Sequence, residues 1–138
     1  TIRTCRLLYV TDNAGRRFLV DSGSEVSLLP PSQPCVPLAN PSVRLRAANG
    51  SPIAVYNTDR HLSIDLGLGR TYNFNFVVAE VPTPILGADF LRQHGLVLDM
   101  KNSKLIDGCT SLSVRSSTPL NRRRHPPVAH IALSDVMP

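Results

Sequence analysis

The sequence predicts an all-β domain with one short helix, and three observations support this fold class. Apolar and polar residues alternate along several short segments, as they do in strands with one buried face. Turn-forming Asp, Asn and Gly residues separate these segments. Only Ala88–His94 combines helix-forming residues with a glycine stop, at Gly95. The chain has 138 residues, a length that suits a single domain.

The first two strands are predicted to form a hairpin. Apolar runs at residues 7–10 and 18–20 flank an Asp-Asn-Ala-Gly segment at residues 12–15, whose residue types favour a turn. A proline-rich stretch follows, with five prolines from Pro30 to Pro41. Because proline lacks the backbone donor that a sheet needs, we expect a surface loop there.

The next strands begin with a second hairpin. Residues 43–47 alternate, Asn49-Gly50 suits the positive φ angles of a tight turn, and the return strand begins at Ile53. Two longer segments follow, and the alternation in each predicts one face turned toward the core. Their apolar positions are Leu62, Ile64 and Leu66 in the first, and Tyr72, Phe74, Phe76 and Val78 in the second.

Two further strands are predicted after the helix, followed by a change in composition. Apolar residues alternate over residues 96–100, and a turn leads into a strand at residues 104–106. From about residue 111, serines, prolines and arginines dominate, which predicts a linker or tail. We therefore expect a folded domain over residues 1–110 and a tail over residues 111–138.

The net charge of +5 resides mainly in this predicted tail. Residues 1–110 carry 11 Lys and Arg against 9 Asp and Glu, whereas residues 111–138 carry 4 Arg against one acid. The charge of the core therefore does not indicate nucleic-acid binding. For the tail, Arg122, Arg123 and Arg124 leave two alternatives, a solvated inter-domain segment or a contact with RNA or another polyanion.

Several other function classes lack a sequence signal. No apolar run approaches the ~18 residues of a membrane span and no secretory signal is visible, so we expect no membrane contact and an intracellular setting. Cys5, Cys35 and Cys109 are odd in number and widely spaced, which fits neither a disulfide framework nor a metal site. The histidines also lack ligand spacing. The Gly-Leu-Gly at residues 67–69 lacks the third glycine of a dinucleotide loop, so no cofactor is expected.

The segment with the clearest chemical signal is Asp21-Ser22-Gly23, which follows an apolar strand. A carboxylate buried at a strand end is costly unless it is paired. Two such acids brought together share one proton, so that one activates a water and its protonated partner donates to a substrate carbonyl. The tripeptide alone also fits an ordinary turn, so its context decides between the two interpretations.

Three segments together resemble the retropepsins, the aspartic proteases of retroviral type. They are FLVDSGSEVSLLP at residues 18–30, AANGSPI at residues 47–53 and PILGADFLRQHGLVLDMKNSKL at residues 84–105. The resemblance covers about residues 5–107 and is strongest to the proteases of gypsy-type long-terminal-repeat retrotransposons. The segment from Ile85 to Ile106 is also similar to the retropepsin-like domain of the ubiquitin-linked DNA-damage-inducible proteins.

The resemblance implies a retropepsin-like half-barrel and a role for each matching residue. Asp21 would be the catalytic acid, Ser22 would replace the more frequent threonine that cross-links the two active-site loops, and Gly23 would let the loop close. Two further groups match the family's flap and the apolar-apolar-Gly element beside the catalytic loop. The flap residues are Ala48, Asn49, Gly50 and Ser51, and the packing element is Ile85, Leu86 and Gly87.

One chain supplies one Asp-Ser-Gly, whereas the mechanism needs two acids. The segment Asp65-Leu66-Gly67 lacks the hydroxyl residue, and Asp89 fits the first turn of the helix better than a second active-site acid. We therefore expect a symmetric homodimer, with Asp21 from each chain at the two-fold axis.

The predicted activity is peptide-bond hydrolysis by a homodimeric aspartic endopeptidase that needs no metal or other cofactor. By resemblance, the substrate would be a polypeptide, the chain's own retroelement polyprotein, and the site of action the cytoplasm or a virus-like particle. Two alternatives stay open at this point. The same fold could serve as a silent dimerisation or peptide-binding module, or the tail could bind RNA.

Overall fold

The computed structural model describes residues 7–32, 37, 43–47, 49–117 and 131–136, and strands dominate this part of the chain. The prediction of an all-β fold with one short helix is confirmed. The helix, α1, is Ala88–His94. The strands are β1 (Leu8–Thr11), β2 (Arg17–Val20), β3 (Leu28–Leu29), β4 (Val43–Ala47), β5 (Pro52–Ile53), β6 (Val55–Asp65), β7 (Thr71–Ala79), β8 (Ile85–Leu86), β9 (Leu96–Asp99), β10 (Lys104–Asp107), β11 (Ser113–Arg115) and β12 (Ile131–Val136).

The largest sheet brings the Asp21 loop and the start of the helix together. Its strand order is β1-β2-β8-β3-β7-β6, with β2 parallel to β8 and β3 parallel to β7. In the β2–β8 pair, Val20 stands beside Leu86. Because parallel strands end at the same edge of a sheet, the chain leaves both strands side by side. Asp21 therefore begins its loop next to Gly87.

The hairpin predicted from the first apolar runs is confirmed. β1 and β2 pair antiparallel. Asp12 closes the turn, because its carboxylate accepts the backbone N–H groups of Ala14 and Arg16 at 3.0 and 2.8 Å. Gly15 has a φ of 87°, a conformation that glycine adopts without strain. The turn chemistry of residues 12–15 thus acts as its residue types predict.

The alternation predicted for β7 is also confirmed and forms the centre of the core. Tyr72 and Phe76 are fully buried, and Phe74 packs beside them. Phe90 of α1 packs on all three rings, with centroid distances of 5.7 Å to Tyr72, 6.2 Å to Phe76 and 5.2 Å to Phe74. Burying one Phe contributes ~1.5–3 kcal/mol. This packing stabilises a seven-residue helix that is too short to form alone, and the helix ends at Gly95 as predicted.

Strand pairing continues past residue 110, where the sequence predicted the domain to end. β11 pairs with β10 in a sheet of order β11-β10-β9, and β12 pairs with β4 in a sheet of order β12-β4-β5. The Ser117 N–H also donates to the Tyr9 carbonyl at 2.8 Å. The prediction of a tail from about residue 111 was based on amino-acid composition, which carries no information about backbone pairing. A three-residue strand such as β11 is also too short to show alternation.

Several predicted features lie outside the described residues. They include the arginine run at residues 122–124, most of the proline-rich stretch, and Cys5 and Cys35. Within the stretch, Pro37 forms an isolated antiparallel bridge with Tyr56. In the described part of the chain, no helix has the length and apolar character that a membrane crossing requires.

Candidate active site

Asp21 lies at the end of β2, where the strand enters a tight loop. Its backbone N–H donates to the Leu86 carbonyl at 2.9 Å, which ties the start of the loop to β8. Its carboxylate Oδ1 accepts the Gly23 N–H at 3.0 Å, and its carbonyl accepts the Ser24 N–H at 3.0 Å. The residue is 9% exposed. The loop thus fixes the direction of a nearly buried carboxylate through local hydrogen bonds.

Ser22 and Gly23 differ from Asp21 because both are exposed. The tripeptide therefore places a nearly buried acid directly beside an exposed hydroxyl residue. Ser22 and Gly23 are therefore accessible to another molecule directly beside the acid. The predicted role of Ser22, a cross-link to a second copy of this loop, requires that exposure and stays a prediction.

Gly87 packs against the Asp21 loop more closely than a residue with a side chain could. A Cβ atom on Gly87 would stand 2.6 Å from the carbonyl oxygen of Ser24 and 2.8 Å from that of Val26. The Ala88 N–H donates to the same Ser24 carbonyl at 2.7 Å. The apolar-apolar-Gly element singled out in the sequence, Ile85-Leu86-Gly87, thus lies directly beside the loop, and its two apolar residues are fully buried.

Ser27 and Asp89 join the segment that follows the Asp21 loop to the start of α1. The sequence did not predict this contact. The Ser27 hydroxyl donates to Asp89 Oδ1 at 2.6 Å and accepts the Gly87 N–H at 2.8 Å. Asp89 Oδ1 also accepts the Phe90 N–H at 2.7 Å. Asp89 lies in the first turn of α1, the role that the sequence favoured over a second active-site acid. A hydroxyl residue inside the apolar run of residues 26–29 is the signal that points to such a buried hydrogen bond.

The predicted flap is the hairpin formed by β4 and β5. Ala48 lies outside the described residues, while Asn49, Gly50 and Ser51 are exposed at the tip. The Gly50 N–H donates to the Ala47 carbonyl at 2.9 Å, and the Ser51 N–H donates to Asn49 Oδ1 at 2.9 Å. Gly50 has a φ of 88°, as expected for an Asn-Gly turn. The tip is thus closed by its own hydrogen bonds and exposed rather than packed on the core.

Asp65 shows the same local turn in different surroundings. Its Oδ1 accepts the Gly67 N–H at 2.9 Å, the contact that Asp21 makes with Gly23. Asp65 is exposed at the end of β6, however, and the residue after it, Leu66, is buried. The segment therefore lacks both the buried acid and the exposed hydroxyl residue of the Asp21 loop.

A second buried carboxylate, that of Asp107, is fully engaged inside the chain. It accepts Arg70 Nε at 2.7 Å, the Tyr72 hydroxyl at 2.5 Å, and the backbone N–H groups of Cys109 and Thr110 at 2.7 and 3.2 Å. Burial by itself would raise the pKa of Asp107, but the hydrogen bonds from Arg70 and Tyr72 hold it well below its usual range. Burial, with the hydrogen bond to Asp107, raises the pKa of Tyr72. Asp107 is thus a structural ion rather than a group that exchanges protons near neutral pH.

The remaining titratable groups of the described residues are dispersed, and no three His, Cys, Asp or Glu side chains among them come together as metal ligands. Cys109 is an exposed free thiol. His94 packs on the rings of Tyr72 and Phe90, and burial lowers its pKa.

Comparison with known proteins supports the fold at the level of structure. No family model and no curated protein sequence matches the chain. Among solved structures, it is similar to the retroviral protease-like domain of Ddi1 from Leishmania major, with a TM-score of 0.60 and 21% identity over 83% of this chain and 97% of that chain. The EIAV protease complexed with the inhibitor HBY-793 gives a TM-score of 0.47 at 20% identity, over 69% of this chain and 92% of that chain.

The first of these similarities establishes the fold alone, because the sequence identity is low. The chain has a retropepsin-like fold, as the resemblance of its three segments implied. The closer likeness to gypsy-type proteases, the homodimer and the catalytic activity stay predictions.

Proposed function

We propose that this protein is a homodimeric aspartic endopeptidase of the retropepsin type, in which the Asp21 carboxylates of two chains activate one water. The observation that carries the proposal is the position of the nearly buried Asp21 carboxylate. This carboxylate accepts the Gly23 N–H, and the residue that follows Asp21, Ser22, is exposed. A fold shared with a retroviral protease-like domain supports it.

The homodimer follows from counting acids. Three other buried or half-buried carboxylates are engaged elsewhere in the chain: Asp12 pairs with Arg16, Asp89 accepts the Ser27 hydroxyl, and Asp107 accepts Arg70. The mechanism needs a second acid beside Asp21. A second copy of the exposed loop, related by a two-fold axis, supplies that acid without any change in the chain.

The chemistry is general acid–base catalysis by two carboxylates that share one proton. Like charges at close range do not both ionise, so one Asp21 is protonated and the other is not. The ionised Asp21 removes a proton from the water as the water oxygen attacks the peptide carbonyl carbon, and the protonated Asp21 donates to the carbonyl oxygen. The tetrahedral intermediate collapses when the amide nitrogen accepts a proton and the carbon–nitrogen bond breaks. These steps need neither a metal nor a covalent intermediate.

The remaining matched residues would position the loops and the substrate. The tip residues Asn49, Gly50 and Ser51, with Ala48, would cover an extended polypeptide as a flap. Gly87 permits the close packing that holds the Asp21 loop in place. The resemblance to gypsy-type proteases supports the chain's own retroelement polyprotein as the substrate, cleaved in the cytoplasm or in a virus-like particle.

Cleavage of the parent polyprotein by wild-type protein and by Asp21→Asn tests this function. General acid–base catalysis accelerates a reaction about 10²- to 10⁴-fold, so we expect Asp21→Asn to cleave at least about a hundredfold more slowly than the wild type. Asp65→Asn is the matched control, because Asp65 makes the same local contact to a glycine N–H at an exposed position. It should cleave at the wild-type rate. An Asp21→Asn preparation with full activity would refute the proposal, and an inactive wild-type protein would favour the silent binding module.

A further inference from the structure

Among the described residues, two arginines stack on a tyrosine ring, and they differ in what their guanidinium groups bind. Arg70 lies over Tyr72, at 5.0 Å from the ring centroid, and Arg17 lies over Tyr9, at 4.1 Å. A guanidinium that stacks on a ring keeps its planar fork of N–H groups at its edge, where they can bind a carboxylate. The two pairs therefore present the same donors in a similar setting.

Arg70 shows what this arrangement binds. Its Nε donates to Asp107 Oδ2 at 2.7 Å, and its Nη2 donates to Asp107 Oδ1 at 3.4 Å. Two parallel bonds of this kind join a guanidinium to both oxygens of one carboxylate, which makes the contact specific as well as strong.

Arg17 has the ring but no acid at the same two nitrogens. Its Nε and Nη2 are buried, and neither has a hydrogen-bond partner among the residues that the structure describes. The neighbouring Arg16 differs, because its Nη1 pairs with Asp12 at 3.0 Å. Buried donors of a charged group are costly unless an acceptor satisfies them. The unpaired nitrogens of Arg17 therefore fit a carboxylate from outside the described residues.

The position of Arg17 relates this carboxylate site to the Asp21 loop. Arg17 begins β2, four residues before Asp21, and a strand rises about 3.3 Å per residue, so about 13 Å separate the two. Thr11 is opposed to Arg17, whereas Tyr9 is opposed to Leu19, two residues closer to Asp21. The guanidinium over Tyr9 therefore leans toward the end of the sheet at which Asp21 lies.

The site lies at the margin of the sheet rather than within the core. Arg17 is half-buried as a residue, and Thr11 opposite it is exposed. A carboxylate can therefore approach the guanidinium from solvent.

We propose that Arg17 is a specificity residue that binds an aspartate or glutamate side chain of a polypeptide substrate, about four residues from the bond that is cleaved. This inference rests on the proposed function, because it takes the substrate to lie at Asp21. An extended peptide spans about 13 Å in four residues, which matches the separation of Arg17 and Asp21 along β2. The two oxygens of the acid accept from Nε and Nη2, as those of Asp107 accept from Arg70.

Peptide retention by the full chain carrying Asp21→Asn tests this preference without cleavage. A degenerate library of short peptides is passed over the immobilised chain, and mass spectrometry identifies the retained peptides. A hydrogen bond to a charged group changes affinity about tenfold or more, so we expect Asp or Glu to be enriched at one position. Adding Arg17→Glu should change that preference to Lys or Arg, which a merely structural role of Arg17 does not predict. Retained peptides without an acidic preference, or no retained peptides, would overturn the proposal.

A matched pair of peptides measures the contact itself. One retained peptide and its analogue, in which the amide replaces the acid, are labelled and bound to the same chain by fluorescence anisotropy. We expect the amide analogue to bind about tenfold more weakly, and Arg17→Gln to abolish this difference. Arg16→Gln is the control and should keep the difference, because Arg16 already pairs with Asp12. Equal binding of the two peptides before Arg17 is replaced, or the same difference afterwards, contradicts the proposal.

Cleavage by the wild-type protein is measured separately, so the two proposals can fail independently. A chain that selects acidic peptides through Arg17 but cleaves none would refute the proposed activity and support the acid-binding site. A chain that cleaves peptides but binds them without an acidic preference would refute the site and support the activity.

Discussion

Asp21 and Asp107 are both nearly buried carboxylates, yet their surroundings differ. Asp107 accepts hydrogen bonds from Arg70, from Tyr72 and from two backbone N–H groups, and these hold its pKa well below the usual range. Asp21 accepts the N–H of Gly23 within its own loop, beside exposed residues. Burial alone therefore does not mark a catalytic acid. The useful distinction is the setting, because Arg70 and Tyr72 donate to Asp107 from distant parts of the chain, whereas Asp21 lies directly beside the exposed Ser22 and Gly23.

Removing each carboxylate in turn gives the largest expected effect. Asp107→Ala leaves Arg70 and Tyr72 without their acceptor, and we expect the free energy of unfolding to fall by about 3 kcal/mol. Asp21→Asn keeps an oxygen for the Gly23 N–H, so we expect a change below about 1 kcal/mol. Denaturant titration measures both, with the exposed Asp59→Ala as the control. Equal losses for the two variants would remove the distinction between the sites.

Two glycines beside these carboxylates sharpen the comparison. Gly87→Ala brings a Cβ to 2.6 Å from the Ser24 carbonyl oxygen. Because backbone on both sides must shift, we expect a loss of about 2–3 kcal/mol in unfolding free energy and at least a tenfold slower cleavage. At Gly108, beside Asp107, the nearest atom would be the Gly95 carbonyl oxygen at 3.1 Å.

Gly108→Ala is therefore the matched control for Gly87→Ala. A shift of a few tenths of an ångström accommodates its Cβ, so we expect a loss below about 1 kcal/mol and unchanged cleavage. Thermal unfolding and a peptide-cleavage assay measure the two effects. A Gly87→Ala protein with wild-type stability and rate would show that the loop does not depend on this close packing.

The same contrast explains what the sequence could predict. The Asp21 loop is encoded locally, since the strand, the acid, the hydroxyl residue and the glycine follow one another directly. The partners of Asp107 are distant, because Arg70 lies 37 residues away and Tyr72 lies 35 residues away. No spacing within one sequence connects such residues, so the cluster was not predicted.

The elements of the fold also fall into two groups, those that local sequence patterns predict and those that depend on distant contacts. Strands such as β4 and β7 and the helix α1 follow from local alternation and from Gly95. The contact between Ser27 and Asp89 joins residues 62 positions apart, and the pairing of β12 with β4 joins more distant ones. These pairings depend on tertiary packing and on backbone hydrogen bonds, which residue types alone do not specify.

His94, beside the Asp107 cluster, gives the smallest expected effect. Burial lowers the pKa of His94, so the folded chain takes up this proton less readily than the unfolded chain does. The stabilisation that comes from neutral His94 is therefore fully present above about pH 6.5, near the pKa of the unfolded chain. It is lost as the pH decreases toward the lower pKa that His94 has in the folded chain. Asp107 loses its own contribution only below about pH 4, because its folded pKa is also lowered.

Replacing His94 tests this window. We expect His94→Gln to reduce the fall in Tm between pH 7 and pH 5 by about 3 °C relative to the wild type. Thermal unfolding across this range measures it, with the exposed His61→Gln as the control. If the Tm of His94→Gln falls as steeply as that of the wild type, then His94 does not cause the loss.

The claim that two Asp21 carboxylates form one site is tested most directly by counting sites per chain. Titration calorimetry with a transition-state-mimicking inhibitor of aspartic proteases measures this stoichiometry, because such compounds bind the assembled dyad far more tightly than substrates do. We expect one inhibitor for every two wild-type chains, and an affinity that is at least about a hundredfold lower in Asp21→Asn. One inhibitor per single chain, or equal affinity for Asp21→Asn, would contradict a site shared between two copies.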